Sequence, residues 1–466
     1  MSEIKAFVNS LGGKPILIYG LGKSGLSTLK AFIGGGATVV VGDDDPTNVA
    51  QAKELGAQGL DDTSLSFSDY AFLVLSPGVP LTHPQPHDVV KQAQAANLEI
   101  LCDIELFSRI YPDQKIIGVT GTNGKSTTVT LIMHILNTCG QKALLGGNIG
   151  TPVFDLDLDG ADTMVILEMS SFQIDLCPVF RPDISVILNL TPDHLDRHGS
   201  MDHYMEVKER LGELGRHNEP QSVIIATDDM YTQKILDRAR DLALRDIVQV
   251  STSSYIEDGI CEKDGFLYDH GAKVGDLSSL TSLKGIHNYQ NAACSYAVAR
   301  QCGFEFAEVW DAMQSFAGLN HRQFLVRTVN GVTYINDSKS TNAAAAAVAL
   351  GCRNNVYWIV GGRKKKTGLD GLEEFFPRIK HAFLIGEAMD DFAGWFDKYG
   401  IEYTKSITLD RAVDGAHKMA QDNRGQPGGA GVVLLSPACA SFDQFKNFED
   451  RGDKFTDLIH ALDGSI

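Results

Sequence analysis

A chain of 466 residues exceeds one ordinary domain, so we expect two to four domains. Its hydrophobic content of 43% and charged content of 21% are typical of globular proteins. The net charge of −18 argues against a general nucleic-acid-binding protein, and no apolar run approaches the roughly 18–20 residues of a membrane helix. The start lacks a secretory signal pattern, and the eight cysteines include no CxxC pair. We therefore expect free thiols and a cytoplasmic location.

The first hundred residues predict alternating strands and helices. Apolar segments at 15–20, 38–45 and 70–80 end in glycine, acidic residues and a turn respectively, and 97–107 resembles a strand that runs into a helix. Such alternation is typical of a parallel, doubly wound sheet. The turn GLGKSG at 20–25 fits the GxGxxG pattern, with acidic residues at 43–45 about twenty positions later. Taken alone, this pattern fits either dinucleotide binding or an ordinary tight turn of such a fold.

The segment 115–136 predicts a strand, a glycine loop and a helix in direct succession. Its loop reads GVTGTNGKSTT and matches GxxGK[ST], although Val119 stands where the usual pattern has its first glycine. Glycines let backbone N–H groups converge on phosphate oxygens, and the start of the following helix favours negative charge. Lys125 can then reach the β- and γ-phosphates, and the Ser126 hydroxyl suits magnesium. The loop therefore predicts ATP binding.

Further strand signals continue to the end of the chain. They occupy 163–171, 183–191, 221–229, 331–338, 356–362, 381–387 and 431–438. Buried parallel strands need apolar runs of this kind. We predict an α/β fold of three domains. These are a Rossmann-like domain over 1–106, a central P-loop ATPase-like parallel-sheet domain over 107–318, and a C-terminal Rossmann-like α/β domain over 319–466.

Seven segments occur in a characteristic order. They are GTNGKS (121–126), GGNIGTP (146–152), LEMSSFQ (167–173), NLTPDHLDRH (189–198), HNYQNA (287–292), NDSKSTN (336–342) and LLSPACASFDQFKNFEDRG (434–452). Together they resemble the Mur ligases of peptidoglycan synthesis, over essentially the whole chain. The last segment is most similar to the members that add D-glutamate.

The resemblance implies an ATP-dependent amide ligase that adds D-glutamate to UDP-N-acetylmuramoyl-L-alanine. In the implied reaction, the substrate carboxylate attacks the γ-phosphate of ATP. The amine of D-glutamate then attacks the resulting acyl phosphate, and ADP and phosphate are released. The protein would position two anions and neutralise developing charge. We expect a monomer with no nucleic-acid partner and no membrane insertion.

The resemblance also implies two magnesium ions beside the ATP loop, held by Ser126, Glu168, His194 and Lys208. Glu168 ends a predicted strand, where a carboxylate near a phosphate loop is a natural magnesium ligand. His194 alone would fit a structural hydrogen-bonding residue, but the matching family histidine binds the second magnesium. Lys208 alone would fit a solvated helix lysine, but the matching family lysine is carbamoylated, which converts a cation into an anionic ligand. Lys125, His194 and Lys208 are assigned catalytic roles.

The implied ATP contacts extend beyond the loop. The loop itself contributes Gly121, Thr122, Asn123, Gly124, Lys125, Ser126 and Thr127. Asn288 and Asn291 match contacts on the adenine side, and Asn288 also fits a helix N-cap. Arg322 matches an arginine that reaches the ATP phosphates, a role that suits a bidentate guanidinium. Asp337 matches a ribose- or phosphate-side contact, and Lys339 a catalytic cation near the reacting groups.

The implied D-glutamate site comprises Thr341, Lys365, Ser441 and Phe448. A small dicarboxylate needs a cation and hydroxyl donors, which these residues include. The run GGRKKK leaves open which of Lys364, Lys365 and Lys366 contacts the ligand, and it also fits a solvated basic patch.

The implied UDP-substrate site involves both of the first two predicted domains. Its residues are Gly22, Lys23, Ser24, Asp43, Ser76, Pro77, Gly78 and Asn148. The acidic segment 43–45 lacks the basic residue expected near the uracil, so the uracil contacts stay open.

Competing functions explain fewer of these segments. A nicotinamide dehydrogenase rests only on GLGKSG, and a diaminopimelate- or lysine-adding ligase would carry a DNPR segment that this chain lacks. Folylpolyglutamate synthase shares the ATP loop but places it near its N-terminus, whereas about 115 residues precede it here. A purely structural nucleotide-binding protein would not need Glu168, His194 and Lys208 together.

Overall fold

A computed structural model describes residues 2–158, 160–212, 221–241, 245–283, 285–363, 368–426 and 430–462, with the side chains at 221, 245 and 287 left out. The chain divides into two compact units. One comprises Met1–Leu280 with Ile286–Ser315, and the other Thr281–Gly285 with Phe316–Ile466. Among the described residues, none of the helices combines the length and apolar character that crossing a bilayer requires.

The first unit begins with a five-stranded parallel sheet in the order β3-β2-β1-β4-β5. Its strands are β1 (Ile16–Tyr19), β2 (Val39–Gly42), β3 (Gln58–Gly59), β4 (Leu73–Leu75) and β5 (Ile100–Leu101). The helices of this region are α1 (Ser2–Ser10), α2 (Lys23–Gly34), α3 (Pro46–Glu54), α4 (Asp88–Ala95) and α5 (Asp103–Ile110). The four predicted strands are confirmed, and the order is that of a Rossmann-like sheet. The two-residue strand β3 carries too little apolar sequence to be predicted.

A nine-stranded sheet follows in the same unit, in the order β14-β13-β12-β11-β10-β9-β6-β8-β7. Its strands are β6 (Ile116–Thr120), β7 (Ala143–Gly147), β8 (Met164–Glu168), β9 (Ile184–Ile187), β10 (Gln221–Ala226), β11 (Arg245–Ser251), β12 (Ile260–Lys263), β13 (Phe266–Asp269) and β14 (Ala272–Asp276). Strands β6 to β12 are parallel, and β12, β13 and β14 form an antiparallel edge. The predicted central strands are confirmed, whereas the antiparallel edge was not predicted.

Seven helices accompany the nine-stranded sheet in the described part of the chain. They are α6 (Lys125–Thr138), α7 (Ser171–Asp175), α8 (Leu195–His198), α9 (Met201–Glu209), α10 (Met230–Arg240), α11 (Ile286–Gln301) and α12 (Phe306–Gln314). The start of α7 is fixed by a capping box, in which the side chains of Ser170 and Gln173 each bind the other's backbone N–H. Because β6 pairs with β8 and β9, the loops after these three strands meet at one edge.

The second unit contains a six-stranded sheet in the order β15-β16-β20-β17-β18-β19. Its strands are β15 (Phe324–Val329), β16 (Val332–Asn336), β17 (Val356–Gly361), β18 (Ile379–Ile385), β19 (Tyr403–Ile407) and β20 (Val432–Leu435). Its helices are α13 (Ala343–Gly351), α14 (Met389–Tyr399), α15 (Leu409–Asp422) and α16 (Phe448–His460). The sheet is parallel apart from β15, and its four predicted strands are confirmed. The three-sheet α/β fold agrees with the prediction, and the exact domain borders stay predictions.

Candidate active site

The predicted ATP loop joins β6 to α6 through two glycines with positive φ angles. Gly121 has φ 150° and Gly124, the N-cap of α6, has φ 85°. A Cβ atom on Gly124 would collide with the amide of Asn291, so glycine is required there for backbone and packing reasons. The ammonium of Lys125 turns back over the loop and donates to the carbonyl oxygens of Gly121 at 2.8 Å and Thr122 at 2.9 Å. Ser126 and Thr127 follow in the first turn of α6 and are buried.

Asn189 holds the shape of the loop, and sequence reasoning did not single it out. Its carbonyl accepts from the backbone N–H of Thr122 at 2.7 Å, and its side chain exchanges hydrogen bonds with the backbone of Asn123. The same amide reaches Gln290 Oε1 at 2.9 Å, and Gln290 in turn donates to Asp228. The available signal was its position just after β9, the strand that pairs with β6.

Glu168 ends β8 beside this loop and is 2% exposed. Its Oε1 atom accepts a 2.7 Å hydrogen bond from Asn148, whereas Oε2 is buried and has no hydrogen-bond partner among the described residues. A buried carboxylate oxygen without a partner is costly. A cation would satisfy it, so this site fits the magnesium ion that the sequence predicts. The side chain of Asn148, predicted to contact the UDP substrate, is directed to Glu168 here.

His194 is held by an unusual backbone conformation at the start of α8. Its φ angle is 52°, its Nε2 atom lies 3.4 Å from Asp193, and its ring packs edge-on against Phe172. The side chain is about half exposed, which leaves it accessible to a ligand. The neighbouring His198 is buried, and burial lowers its pKa to about 4, so its ring is neutral near pH 7.

Lys208 of α9 is 1% exposed, so it is not the solvated lysine of an ordinary helix surface. Its Nζ atom donates to Gly121 O at 2.9 Å and Thr120 Oγ1 at 3.1 Å. Lys125 and Lys208 therefore share one carbonyl oxygen of the ATP loop. Burial and the nearby Lys125 charge lower the pKa of Lys208 well below its usual range, against the opposing charges of Asp193 and Glu168. A neutral amine is the reactive form of lysine.

The asparagines of HNYQN lie in the first turns of α11, against the ATP loop. Asn291 is buried and accepts from Thr128 Oγ1 at 3.3 Å. Asn288 accepts from the Asn291 amide at 3.2 Å and lies two residues inside the helix, so it is not at the N-cap position. The pair therefore supports the loop and the helix that follows it.

Apart from Asn148, which follows β7, the predicted UDP-substrate residues lie at the carboxyl ends of β1, β2 and β4. Gly22 caps α2, and Lys23 and Ser24 begin that helix. Asp43 accepts from the backbone N–H of Leu21 at 2.5 Å and Asp45 at 2.8 Å, and these bonds lower its pKa despite the opposing effect of burial.

The turn after β4 is tied to the neighbouring sheet by Arg197. Its guanidinium donates to the carbonyl oxygens of Pro77, Gly78 and Val79 at 3.1–3.3 Å. Ser76 precedes these residues and donates its backbone N–H to Tyr19 O. Arg197 lies in α8, which His194 caps, and both side chains contact the ring of Phe172, so the turn and the candidate metal site are joined by direct contacts.

A buried carboxyl, Asp103, lies under this substrate site. It shares a small cavity with Gly20, Ser24 and Ser76. Burial raises its pKa from 3.8 to about 6, against the opposing backbone hydrogen bonds at the start of α5. Sequence reasoning did not identify Asp103, because nothing local marks this acid as buried.

We expect Asp103 to make unfolding pH-dependent. Between about pH 4 and 6 the folded protein keeps a proton that the unfolded chain loses, so this group lowers stability as pH rises. A pKa raised from 3.8 to about 6 corresponds to about 3 kcal/mol. Denaturant titrations should therefore show Asp103→Asn gaining stability relative to the parent between pH 4 and 7. Asp113→Asn, at an exposed position, is the control and should not gain stability over this range. If the free energy of unfolding had the same pH slope in Asp103→Asn and in the parent, the assignment would be contradicted.

The second unit holds the other predicted site residues that the structure describes. Asp337 is buried and accepts from Ser340 Oγ at 2.5 Å, Ser436 Oγ at 2.7 Å and the Gln323 N–H at 3.0 Å. Burial raises its pKa to about 6, although these hydrogen bonds and Arg322 oppose the rise. Arg322 itself is partly buried.

Phe448, predicted to contact D-glutamate, is the first residue of α16. Lys339 Nζ lies 5.4 Å from the centre of the Phe448 ring. Two residues later, Thr341 donates a hydrogen bond from its backbone N–H to the carbonyl oxygen of Lys339. Ser441 is buried in the loop after β20. Lys364, Lys365 and Lys366 lie outside the described residues.

Arg451 is a further residue of this region that sequence reasoning missed. It is buried and donates to Ser338 Oγ at 2.9 Å, Ser338 O at 2.8 Å and Cys439 O at 3.1 Å. These bonds join α16 to the loops after β16 and β20. Arg451 therefore holds the segments that carry Lys339, Ser441 and Phe448.

Known proteins share both the sequence and the fold. Residues 119–299 match the Mur ligase middle domain. The UDP-N-acetylmuramoylalanine--D-glutamate ligase of Agrobacterium fabrum is 44% identical over 465 residues, covering 98% of this chain and 97% of that protein. The chain belongs to the Mur ligase family.

Solved Mur ligase structures are similar to most of this chain. UDP-N-acetylmuramate-alanine ligase MurC from Thermotoga maritima covers 96% of this chain and 99% of its own, with a TM-score of 0.57 at 15% identity. The structure of MurF ligase from Thermotoga maritima in complex with ADP matches 80% of this chain and 92% of its own chain. Its TM-score is 0.52 and its sequence identity is 17%. These likenesses show that the chain has a Mur ligase fold.

Proposed function

We propose that this Mur ligase joins D-glutamate to UDP-N-acetylmuramoyl-L-alanine at the expense of ATP. The observation that carries the proposal is the convergence of Lys125, Glu168 and Lys208 on the loop at the carboxyl ends of β6 and β8. The relative from Agrobacterium fabrum is named for D-glutamate and UDP-N-acetylmuramoylalanine, which supports this choice of substrates.

The reaction has two bond-forming steps. An oxygen of the substrate carboxylate attacks the γ-phosphorus of ATP, and the bond to ADP breaks as the acyl phosphate forms. The D-glutamate amine then attacks the carbonyl carbon, phosphate leaves with its electron pair, and the nitrogen loses a proton. Negative charge concentrates around the transferred phosphoryl group, so positioning and charge stabilisation dominate catalysis. Lys125 supplies a cation at the ATP loop, and the structure of MurF ligase with ADP supports nucleotide binding in such a fold.

Ser126, Glu168, His194 and Lys208 are the residues that would hold two magnesium ions. The unpartnered Oε2 atom of Glu168 and the exposed ring of His194 support this ligand set. When bound, magnesium would neutralise charge on the phosphate oxygens. The hydroxyl of Ser126 lies one residue beyond Lys125, at the start of α6.

Lys208 is a ligand for a cation only if it loses its own positive charge. Its lowered pKa favours the neutral amine, which can attack carbon dioxide. A nitrogen–carbon bond forms, one proton is released, and the product is an anionic carbamate. The anion would lie beside Lys125, whose positive charge would attract it. This is the physical reason for proposing a carbamoylated Lys208.

We assign the UDP end of the substrate to the first sheet and to Asn148, which follows β7 of the nine-stranded sheet. Gly22, Lys23, Ser24, Ser76, Pro77, Gly78 and Asn148 are the proposed contacts along the phosphates and sugar. Beside Asp43, a cavity of about 600 Å³ provides room for the uracil. The rings of His87 and Tyr19 pack at a tilt of 44° with their centres 4.9 Å apart, and both side chains contact Asp44. His87 and Lys53 of the cavity wall supply the basic groups that the sequence near 43–45 lacks.

The remaining ligand assignments fall on the second unit and on α11. Asn288 and Asn291 are proposed adenine-side contacts, and Arg322, Asp337 and Lys339 are proposed contacts to ATP and the reacting groups. Thr341, Ser441 and Phe448 are proposed for D-glutamate, together with Lys365. We further propose a cytoplasmic location, since all eight cysteines are free thiols, which suits a reducing compartment. The monomeric state stays a prediction from the sequence.

An ADP-release assay tests the substrates directly. The full-length protein with ATP, magnesium and UDP-N-acetylmuramoyl-L-alanine should release ADP rapidly only when D-glutamate is added. L-glutamate, D-aspartate, L-alanine, L-lysine and diaminopimelate serve as matched alternatives. Rapid release only with another amino acid would overturn the D-glutamate assignment. Release that is independent of any amino acid would overturn the ligase assignment.

A further inference from the structure

Three potential metal ligands meet behind the candidate active site, on side chains to which the ligase reaction assigns no role. Asp175 ends α7, His198 ends α8, and His203 lies in the first turn of α9. One ligand atom from each residue lies within 4.8 Å of the other two. The three residues are separate from the magnesium ligands proposed above.

His198 provides the second observation that points to a ligand. It is 2% exposed, and its Nε2 atom lies 2.9 Å from Ser171 Oγ. Its Nδ1 atom is buried and has no hydrogen-bond partner among the described residues. When Nε2–H donates to Ser171, the lone pair is on Nδ1, which is the arrangement that orients a metal-binding histidine.

The His198 ring is also fixed by packing. It stacks on Phe172 with an interplanar angle of 13°, and it contacts the rings of Tyr204 and His203. A donor atom locked in one orientation loses little freedom on binding an ion.

Asp175 and His203 complete the set from partly exposed positions, which gives an ion a route of entry. Arg210 binds Asp175 Oδ1 at 2.5 Å and thereby leaves the second carboxylate oxygen for an ion. Ligand atoms around one zinc ion, each about 2.0–2.2 Å from the metal, lie roughly 3–4 Å apart. The ligand atoms lie within 4.8 Å of one another, so we expect a small rotation of the two partly exposed side chains to bring them into range.

We propose that Asp175, His198 and His203 bind a divalent transition-metal ion of the zinc class. Two imidazole nitrogens and one carboxylate suit zinc or cobalt, whereas magnesium prefers oxygen ligands throughout. A bound ion joins α7, α8 and α9, and α9 carries Lys208. The site therefore braces the helix that positions the catalytic lysine, and its existence does not depend on which amino acid the enzyme uses.

Cobalt(II) binding to the full-length protein tests the proposal, with excess magnesium present to occupy oxygen-rich sites. The parent should show visible d–d absorption of a cobalt ion with nitrogen ligands, and zinc should displace it. His203→Asn should weaken cobalt binding at least about tenfold, because it removes one of three ligands. The partly exposed position of His203 makes this variant the one least disruptive to folding.

Two matched variants separate this site from other histidines. His194→Asn, at the proposed magnesium site, and His270→Asn, on an exposed turn, should both retain the cobalt spectrum. Zinc should raise the melting temperature of the parent and of both control variants, but not of His203→Asn. Unchanged cobalt binding by His203→Asn, or loss of the spectrum in His194→Asn, would overturn the proposal. The ADP-release result has no bearing on either outcome.

Discussion

Replacing Lys125 with alanine should lower ATP turnover by about 10²–10³-fold or more, the cost of removing a charge-stabilising donor. The Lys125 ammonium lies over the ATP loop, within 2.9 Å of the carbonyl oxygens of Gly121 and Thr122. Lys208 also donates to the carbonyl oxygen of Gly121, but it is buried. ADP release with all substrates present measures the effect.

The loss should come from chemistry rather than from unfolding. Lys125 begins α6 and packs little of the core, so Lys125→Ala should keep the circular dichroism spectrum of the parent. Lys234→Ala removes an exposed lysine from α10 and should keep full turnover. Turnover within a factor of a few of the parent in Lys125→Ala would exclude the loop as the phosphate site.

Lys208→Ala should reduce ligase activity by about 100-fold or more, and short carboxylic acids should partly restore it. Loss of a group in contact with a metal ligand typically costs 10–100-fold, and loss of a ligand itself costs more. The Lys208 side chain is buried, so alanine leaves a cavity beside Thr120 and Gly121. Acetate or formate can enter this cavity and supply the anionic oxygens that a carbamate would provide.

A volume-matched variant makes this rescue specific. Lys208→Met fills the same space without a nitrogen, so it should be inactive and unresponsive to added acids. Lys91→Ala, on the surface of α4, controls for general effects of acetate. Full activity of Lys208→Ala without added acid would refute the carbamate, and so would equal rescue of the methionine variant.

The ATP loop could be predicted because its chemistry is local in sequence. A strand, glycines at the turn, Lys125 and a helix follow one another within a dozen residues, and positive φ angles occur at Gly121 and Gly124. Glu168 is equally local, as the last residue of an apolar strand. Strand prediction succeeded for the same reason, since buried parallel strands are continuous apolar runs.

Residues whose roles depend on tertiary neighbours could not be predicted from local sequence. Asn189 supports the ATP loop only because β9 pairs with β6. From local sequence, Lys208 is expected to be a surface lysine, but in the fold it is buried against the ATP loop. Asp103 is likewise expected to be a solvated acid, but the fold buries it. The antiparallel edge β12 to β14 consists of short, partly exposed strands, which give weak apolar signals.

The family resemblance supplied roles where local chemistry offered several. For His194, local sequence also allowed a purely structural, hydrogen-bonding role. In the structure, the His194 side chain is half exposed and lies beside Asp193. For Asn288, local sequence also allowed the role of helix N-cap, but in the structure this residue lies inside α11. For the lysines at 364–366 the assignment stays a prediction.

Transfer of oxygen-18 from substrate to phosphate tests the central claim most directly. UDP-N-acetylmuramoyl-L-alanine labelled in its carboxylate is incubated with the enzyme, ATP and D-glutamate, and the phosphate is analysed by mass spectrometry. An acyl-phosphate ligase transfers one labelled oxygen to each phosphate released, in step with formation of the D-glutamate amide. Unlabelled phosphate alongside amide formation would contradict the acyl-phosphate route, and phosphate release without amide would contradict the ligase assignment.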